Sequence, residues 1–353
     1  MKFGISFLPD ATNLQKSAAS YFKEIFDITI YADMAGLETV KMTEHYVNAY
    51  GGYCPSPLTF LAAVAVQTRN IRLMTGCVLP IFHHPIALAS EIAMVDSISG
   101  GRLDVGFGRA HVPSEFSMFN IPFDESRARF ETSVRAIKGL LSQECFSCET
   151  PFFSFKDISN VLRSTQTPHP PLWGAAIATP SSFTWFGENG LNLLVGFLTG
   201  PSDFLRMNIS NYKQAFKDSK LTSDLSPRVA VSLPLFISDD DDIAREEVRP
   251  HLTHYLETWS KASKPWKTTS SKDYEAYTKV YEMVRTTTPE LMCATGGALV
   301  GSPARIIEAI GSLKEKLDID MILWQLDFGA LPYHHMRKTL ELFVEKVLPF
   351  VRD

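Results

Sequence analysis

The chain lacks any apolar run near the ~20 residues that a transmembrane helix needs, and it has no long cluster of basic residues. Its 353 residues contain 34 Lys and Arg against 39 Asp and Glu, which gives a formal net charge of −5. Because nucleic acids are bound by clustered cations, this pattern argues against a nucleic-acid partner. The start, MKFGISFLPD, is a poor signal peptide and a good first strand. We therefore expect no membrane partner and a cytoplasmic location.

Cysteine is also scarce. Five cysteines, an odd number in a chain of this length, predict reduced thiols rather than a disulfide framework. Cys145 and Cys148 form a lone CxxC pair, and a zinc site would need two further ligands at suitable spacing. The His251/His254 pair lacks the acidic neighbour of a zinc-protease helix, so no metal is expected. The nucleophile elbow Gly-x-Ser-x-Gly and the Walker phosphate-binding loop are both absent.

Short apolar runs alternate with amphipathic stretches along the chain. Strands are predicted at 2–7, 39–42, 71–79, 103–107, 171–176, 191–197, 228–237 and 321–326. Helices are predicted at 20–35, 58–68, 86–98, 127–141, 181–188, 202–217, 240–259 and 335–351, with one more that begins at Ser302-Pro303. Strict βα alternation predicts a parallel sheet, and eight such units favour a closed (β/α)₈ TIM barrel. We expect residues 1–353 to form a single α/β domain.

Two segments exceed the regular βα unit. Residues 144–167, which are rich in Phe, predict an inserted hairpin or loop before the fifth strand. Residues 261–301 predict a second insertion between the seventh and eighth strands. Its polar, proline-broken part, 263–272, is a candidate lid over the C-terminal rim of the barrel, because long loops in compact domains are usually functional or disordered.

Functional side chains of TIM barrels lie just past the C-terminal ends of the strands. After the fifth strand, Thr179 and Pro180 suit the N-cap and first position of a helix, so the backbone N–H groups of Ser181 and Ser182 and the nearby hydroxyls predict a phosphate cradle. An ordinary helix cap would explain the same residues. After the fourth strand, GFGRAH offers Arg109 as a cation beside glycines, but it lacks the third glycine of a dinucleotide fingerprint.

Several stretches, in order along almost the whole chain, resemble the bacterial luciferase-like flavin monooxygenases. They are MKFG at the start, EHY at 44–46, the run from VLP at 78–80 to DSISGGRL at 96–103, WGAA and TPSS between 173 and 182, and VGSP at 300–303. The resemblance implies a (β/α)₈ barrel that binds reduced FMN delivered by a separate flavin reductase. Homodimers are common in this family, so a homodimer is expected.

The resemblance also implies roles for individual residues. His45 matches the active-site histidine of the family. Thr179, Ser182 and Arg109 match its phosphate-binding positions, and a non-proline cis peptide is expected near Thr75–Gly76, against the flavin ring. The remaining candidates are the backbone of Ala178 and Ser181 for the cofactor and, for the substrate pocket, Phe7, Tyr46, Tyr50, Phe82, His111 and Phe197.

The implied reaction is oxygenation of a small organic or carrier-tethered substrate through a flavin C4a-(hydro)peroxide that must be kept from water. His45 would orient the peroxide or take a proton from the substrate. Gly108 stands where luciferases have a reactive cysteine, so light emission is not expected. Two alternatives remain open: an F420-dependent hydride-transfer enzyme on the same fold, and a flavin-binding protein without catalysis. The acidic net charge of the chain disfavours binding of F420, because the polyglutamate tail of that cofactor would favour a basic rim.

Overall fold

The computed structural model describes residues 1–10, 16–159, 161–219, 226–269 and 271–352. Its strands are β1 Lys2–Phe7, β2 Thr39–Met42, β3 Arg72–Val78, β4 Leu103–Phe107, β5 Phe146–Glu149, β6 Ser154–Ile158, β7 Leu172–Ala176, β8 Asn192–Gly196, β9 Val229–Ile237, β10 Leu299–Gly301 and β11 Met321–Gln325. Eight of these pair in parallel in the order β1-β2-β3-β4-β7-β8-β9-β11, and β11 pairs back with β1. The predicted TIM barrel is confirmed.

The helices are α1 Ala18–Met34, α2 Pro57–Gln67, α3 Pro85–Ile98, α4 Pro113–Met118, α5 Ser126–Ser142, α6 Pro180–Glu188, α7 Asp203–Asp218, α8 Asp241–Ser263, α9 Tyr277–Thr286, α10 Pro289–Thr295, α11 Pro303–Lys316, α12 Tyr333–Leu342 and α13 Leu348–Val351. Local signals begin many of them. Ser56, Ser202 and Ser302 each accept a hydrogen bond from the backbone N–H three residues on, as N-cap residues do. The helix predicted at Ser302-Pro303 is confirmed as α11.

Side-chain alternation along β1 separates the barrel interior from the helix layer. Phe7 faces outwards, because its ring packs edge-on against Phe60 of α2 at a centroid distance of 6.2 Å. Its neighbour Ser6 faces inwards, because its hydroxyl lies 3.2 Å from the hydroxyl of Ser232 on β9, a strand that β1 does not adjoin. Residues two apart on a strand share a face, so Leu8, just beyond the strand, also points to the interior.

Both insertions are present, and the second is more regular than expected. The first contains the antiparallel hairpin β5-β6, as predicted. The second, expected to be a long loop with a lid, is mostly helical: α9 and α10 follow two short 3₁₀ turns, Lys264–Lys267 and Lys272–Tyr274. It ends in β10, an unpredicted strand that pairs with the last residues of β9. Trp266 and Tyr274 anchor it, each with at most 2% of its surface exposed.

Within the described residues, no helix is long and apolar enough to cross a bilayer. All five cysteines are free thiols, in agreement with the prediction of reduced cysteines.

Candidate active site

A large cavity opens at the C-terminal ends of the barrel strands. Its empty volume is about 1390 Å³, open space at its mouth included. Its lining includes three groups of residues. The imidazole wall is formed by His45, Tyr50, His111, Tyr255 and Trp259. The rim is formed by Arg109, Arg127, Thr179 and Ser182. The floor is formed by Leu8, Lys41, Ser232 and Gln325, which lie on or next to the strands inside the barrel.

His45 in the imidazole wall is oriented by a buried acid. Its Nδ1 lies 3.0 Å from Oε1 of Glu115 on α4, and the backbone N–H of Tyr46 donates to the same oxygen at 2.8 Å. Glu115 is fully buried, and His45 is only 3% exposed. Because a carboxylate can only accept hydrogen bonds, Nδ1 must carry the proton. This arrangement leaves Nε2 as the free base, on a side chain that faces the cavity.

Glu44 holds the segment around His45 from behind. Its Oε1 accepts a hydrogen bond from the Tyr46 hydroxyl at 2.6 Å and lies 2.8 Å from Nε2 of His83, while Oε2 accepts from the backbone N–H of Leu79 at 3.1 Å. The carboxylate thus joins the loops that follow β2 and β3. Glu44 is fully buried and also lines the cavity, so it fixes the position of the adjacent His45.

A second imidazole, His111, stands next to His45. Their ring centroids are 5.6 Å apart, and the Tyr50 ring lies 5.1 Å from His45 and 6.1 Å from His111. Burial, and then the neighbouring His45, lower the pKa of His111 from 6.5 to about 4, so this ring stays neutral at physiological pH. Its buried Nε2 has no hydrogen-bond partner among the described residues. An orphaned ring nitrogen beside a cavity is an available contact for a polar ligand atom.

Arg109 on the rim is a cation with one guanidinium nitrogen that lacks a hydrogen-bond partner among the described residues. Nη2 of Arg109 donates to the backbone carbonyl of Asp273 at 2.7 Å, and the guanidinium lies 4.1 Å from the centroid of the Tyr274 ring. Its Nη1 is buried and finds no partner in the part of the chain that the structure describes.

Thr179 makes no side-chain hydrogen bond to the helix it precedes, which argues against the ordinary cap. Ser182 differs from expectation, because its N–H donates to the Thr179 carbonyl at 3.0 Å.

The second insertion holds these rim residues in place. Nε1 of Trp266 donates to the backbone carbonyl of His111 at 2.7 Å, and the Tyr274 hydroxyl donates to the carbonyl of Ala110 at 3.0 Å. The Trp266 ring packs against Tyr274 and Tyr277 at centroid distances of 4.8 and 5.4 Å. The insertion therefore fixes the backbone that carries both Arg109 and His111.

The sequence matches the family described as luciferase-like monooxygenase over residues 1–319. The chain belongs to this family. Its relatives include the oxygenase component of the flavin-dependent trigonelline monooxygenase of Acinetobacter baylyi, which is 24% identical over 99% of this chain and 95% of that protein. The resemblance read from the motifs is confirmed, and the chain is a flavin-dependent oxidoreductase of the monooxygenase type.

Solved structures agree with the family assignment. Monooxygenase RslO1 from Streptomyces bottropensis superposes with a TM-score of 0.85 at 34% identity and 99% coverage of both chains. The oxygenating constituent of 3,6-diketocamphane monooxygenase from Pseudomonas putida, a type II Baeyer-Villiger enzyme in complex with FMN, has a TM-score of 0.81 at 21% identity, covering 99% and 98% of the two chains. An F420-dependent secondary alcohol dehydrogenase shares the fold at 16% identity and a TM-score of 0.74, with both chains fully covered.

Nine of the residues predicted for the luciferase-like site lie around one cavity. Most of them come together because the loops after parallel strands meet at one end of a barrel. They are His45, Tyr50, Gly76, Arg109, His111, Ala178, Thr179, Ser182 and Phe197.

Five predicted residues lie outside this lining, which corrects their expected placement. Phe7 faces the helix layer, and the Thr75 hydroxyl is occupied by the carbonyl and N–H of Gly106, at 2.9 and 2.8 Å. Tyr46 and Phe82 pack on Phe119 instead, at centroid distances of 4.9 and 4.5 Å. Ser181, on the first turn of α6, is the fifth.

The non-proline cis peptide expected near Thr75–Gly76 is present. It joins Gly76 to Cys77. Cys77 also faces Gly108, where a Cβ would stand only 3.0 Å from that of Cys77. Burial raises the pKa of the Cys77 thiol to about 12, so the sulfur stays protonated.

Sequence reasoning missed Lys41 and Gln325, which line the cavity, and Glu115, which contacts His45 without lining the cavity itself. Glu115 lies on α4, away from the residues directly after β4, so the strand-end rule did not reach it. Lys41 and Gln325 lie inside strands, where barrel residues are usually apolar. A lysine in the middle of the short apolar strand TVKM was a usable signal, because a charge is rarely buried without a purpose.

Proposed function

We propose that this chain is the oxygenase component of a two-component FMN-dependent monooxygenase. One observation carries the proposal: Arg109, whose buried Nη1 has no partner among the described residues, and Thr179, whose hydroxyl does not cap its helix, share a cavity with His45, which Glu115 orients. The first two suit a phosphate, since arginine and helix N-termini are common phosphate ligands. The pair suits proton transfer.

Arg109, Thr179 and Ser182 would hold the FMN phosphate. Reduced flavin supplies the oxygen chemistry when bound, by reacting with O₂ and passing one oxygen atom to the substrate. The protein's part is to place a base and to exclude water. His45 accepts a proton at Nε2 because Glu115 holds the other ring proton at Nδ1. Tyr50 and Trp259, stacked with a centroid distance of 6.0 Å, wall the same side of the cavity and limit access of water.

Four narrower features belong to this proposal. A separate flavin reductase supplies the reduced cofactor, as the name of the trigonelline relative as an oxygenase component suggests. Light emission is not part of the function, because Gly108 occupies the position of the luciferase cysteine and Cys77 stays protonated. The substrate is a small organic or carrier-tethered molecule, and the chain acts as a homodimer.

The test follows flavin binding and oxygen reactivity separately. The protein is titrated anaerobically with photoreduced FMN and with reduced riboflavin, which lacks the phosphate, and O₂ is then admitted while absorbance is recorded. We expect tighter binding of FMN than of riboflavin, and a transient absorbance that free reduced flavin does not give. Arg109→Ala should remove the preference for FMN, whereas Arg245→Ala, which changes an arginine paired with Asp242 on the outer helix α8, should keep it.

Two outcomes contradict the proposal. If bound reduced FMN reoxidises at the rate of free flavin with no transient, the chain is not an oxygenase of this kind. If F420 binds while FMN does not, the hydride-transfer alternative replaces it. A His45→Ala variant that retains wild-type turnover once a substrate is known would remove His45 from its role.

A further inference from the structure

The floor of the cavity is polar where a barrel core is usually apolar. Strand register places Ser6 of β1 opposite both Lys41 of β2 and Gln325 of β11. Ser6 faces the interior, so its two partners in register form one inward layer with it, and both line the cavity. Two nitrogen donors, an ammonium and an amide, therefore flank Ser6 in the floor of the site.

Lys41 is a buried cation without a carboxylate partner. It is 7% exposed. Among the described residues, its Nζ reaches the carbonyl of Gly76 at 3.2 Å and the hydroxyl of Thr43 at 3.5 Å. No ion pair joins it to an acid in residues 1–10, 16–159, 161–219, 226–269 or 271–352. A buried charge without a counter-ion is costly. Burial accordingly lowers the pKa of Lys41 from 10.5 to about 8.

The neighbouring backbone is shaped around this lysine. A Cβ at Gly76 would stand 2.2 Å from both Cγ and Cδ of Lys41, so only glycine leaves room for the side chain to lie across β3. The amide Nε2 of Gln325 is buried and makes no hydrogen bond of good geometry to the described residues, although the Tyr255 hydroxyl is close. Both floor donors thus remain available to a ligand.

We propose that Lys41, with Gln325 in the same layer of the floor, is the counter-charge for the ionised reduced form of the flavin, so that the cavity selects reduced over oxidised flavin. This inference rests on the proposed function. With the phosphate at the rim, the floor receives the opposite end of the ligand, which is the isoalloxazine ring. Reduced flavin carries a negative charge on this ring when it is ionised at N1, and oxidised flavin is neutral there. Charges and hydrogen bonds near this position are a main way in which proteins tune flavins.

The experiment compares dissociation constants of oxidised FMN and photoreduced FMN, measured anaerobically, for the wild type and for Lys41→Met. Methionine keeps the length and apolar stem of lysine and removes the charge. We expect binding of reduced FMN to weaken by at least about tenfold, as for the loss of one charge-assisted hydrogen bond, while binding of oxidised FMN changes by less than about threefold. Lys41→Arg should restore most of the preference for reduced FMN.

Two further variants control the result. Lys2→Met removes an exposed lysine of β1 that pairs with Glu38 at 2.5 Å, and it should leave both dissociation constants unchanged. Gln325→Glu places a carboxylate in the same layer as Lys41, and it should lower the preference for reduced FMN even if Lys41→Met does not fold. If a folded Lys41→Met or Gln325→Glu protein keeps the wild-type ratio, the inference is overturned while the proposed function stands. If the wild type binds FMN in neither state, the proposed function itself fails, and this inference fails with it.

Discussion

The Glu115 carboxylate sets the tautomer of His45, the histidine that follows β2, and so determines which ring nitrogen can act as a base. Without a partner at Nδ1, an imidazole exchanges between two tautomers, and only one of them offers a base at Nε2. The Glu115 carboxylate removes this choice, because Oε1 accepts hydrogen bonds from both His45 and the Tyr46 backbone. We therefore regard Glu115 as a positioning residue that acts through His45.

Glu115→Gln tests this role. The amide can still accept from the Tyr46 N–H but can also donate to His45, so the fixed tautomer is lost. We expect any proton transfer through His45 to slow by about tenfold or more, within the range that general acid–base groups contribute. The ¹⁵N shifts of the His45 ring should show protonated Nδ1 in the wild type and mixed tautomers in the variant.

Glu131→Gln is the matched control, because Glu131 is another acid at the site, which lines the cavity and lies 3.7 Å from Arg127 instead of near His45. It should leave the His45 spectrum unchanged. A wild-type spectrum with the proton on Nε2 would contradict the assignment.

Glu115→Ala is expected to cost about 1–3 kcal/mol of unfolding free energy as well, since it leaves buried donors unpaired.

At the residue scale, sequence reasoning succeeded where topology alone sets the position. His45, Arg109 and Thr179 follow strands directly, and parallel strands deliver such residues to one rim. It failed for Glu115, whose carboxylate reaches His45 only through the path of the loop after β4. It failed for Phe7 because the residue after an inward-facing one points outwards, and the inward set of β1 was not identified beforehand.

At the scale of elements, the sequence of the second insertion contains helix signals. Its polar first residues nevertheless led to the prediction of a loop. Tyr277, Val280, Tyr281 and Val284 repeat at helical spacing and are all buried in α9, and α10 begins with Thr288 as N-cap and Pro289 as first residue. The polar run of 263–272 predicted a lid, yet Trp266 within it is almost completely buried. The insertion is thus held to the rim by its aromatic residues.

Trp266→Ala tests whether this element supports the rim. The cavity left by a buried tryptophan typically costs about 3–5 kcal/mol, and the hydrogen bond to His111 is lost as well. We expect faster amide hydrogen exchange across α9 and residues 271–274, and weaker binding of FMN because Asp273 no longer holds Arg109. Riboflavin binding should change less, since it lacks the phosphate.

Trp266→Phe serves as the conservative variant, because it keeps an aromatic ring at this position and removes the N–H. Its exchange pattern and FMN affinity should lie near those of the wild type. Unchanged FMN affinity in Trp266→Ala, together with increased exchange in the insertion, would show that Arg109 is held independently of this element.

At the scale of the whole molecule, Asp327 joins the first and last βα units where the barrel closes. It lies two residues past the end of β11. Its Oδ1 accepts from the Leu8 N–H at 3.0 Å, and its Oδ2 accepts from the Tyr21 hydroxyl of α1 at 2.7 Å. Burial raises the pKa of Asp327 from 3.8 to about 6, although these hydrogen bonds oppose the shift. The ionised carboxylate is therefore a cost to the closed barrel at neutral pH.

Because ionised Asp327 destabilises the native state, the free energy of unfolding should depend on pH. Between about pH 4 and 6 the native state binds the proton more tightly than the unfolded chain, so this residue's contribution to stability is largest below pH 4 and is lost as the pH rises through 6. The rise in the pKa of Asp327 corresponds to about 3 kcal/mol of unfolding free energy. Asp327→Asn keeps an acceptor for Leu8 and does not titrate. Its unfolding free energy, measured in urea from pH 4 to 7.5, should therefore rise relative to the wild type by about this amount across the window. A constant difference between the two proteins would mean that Asp327 does not titrate in this range, and that the two ends of the barrel close around an ordinary ionised acid.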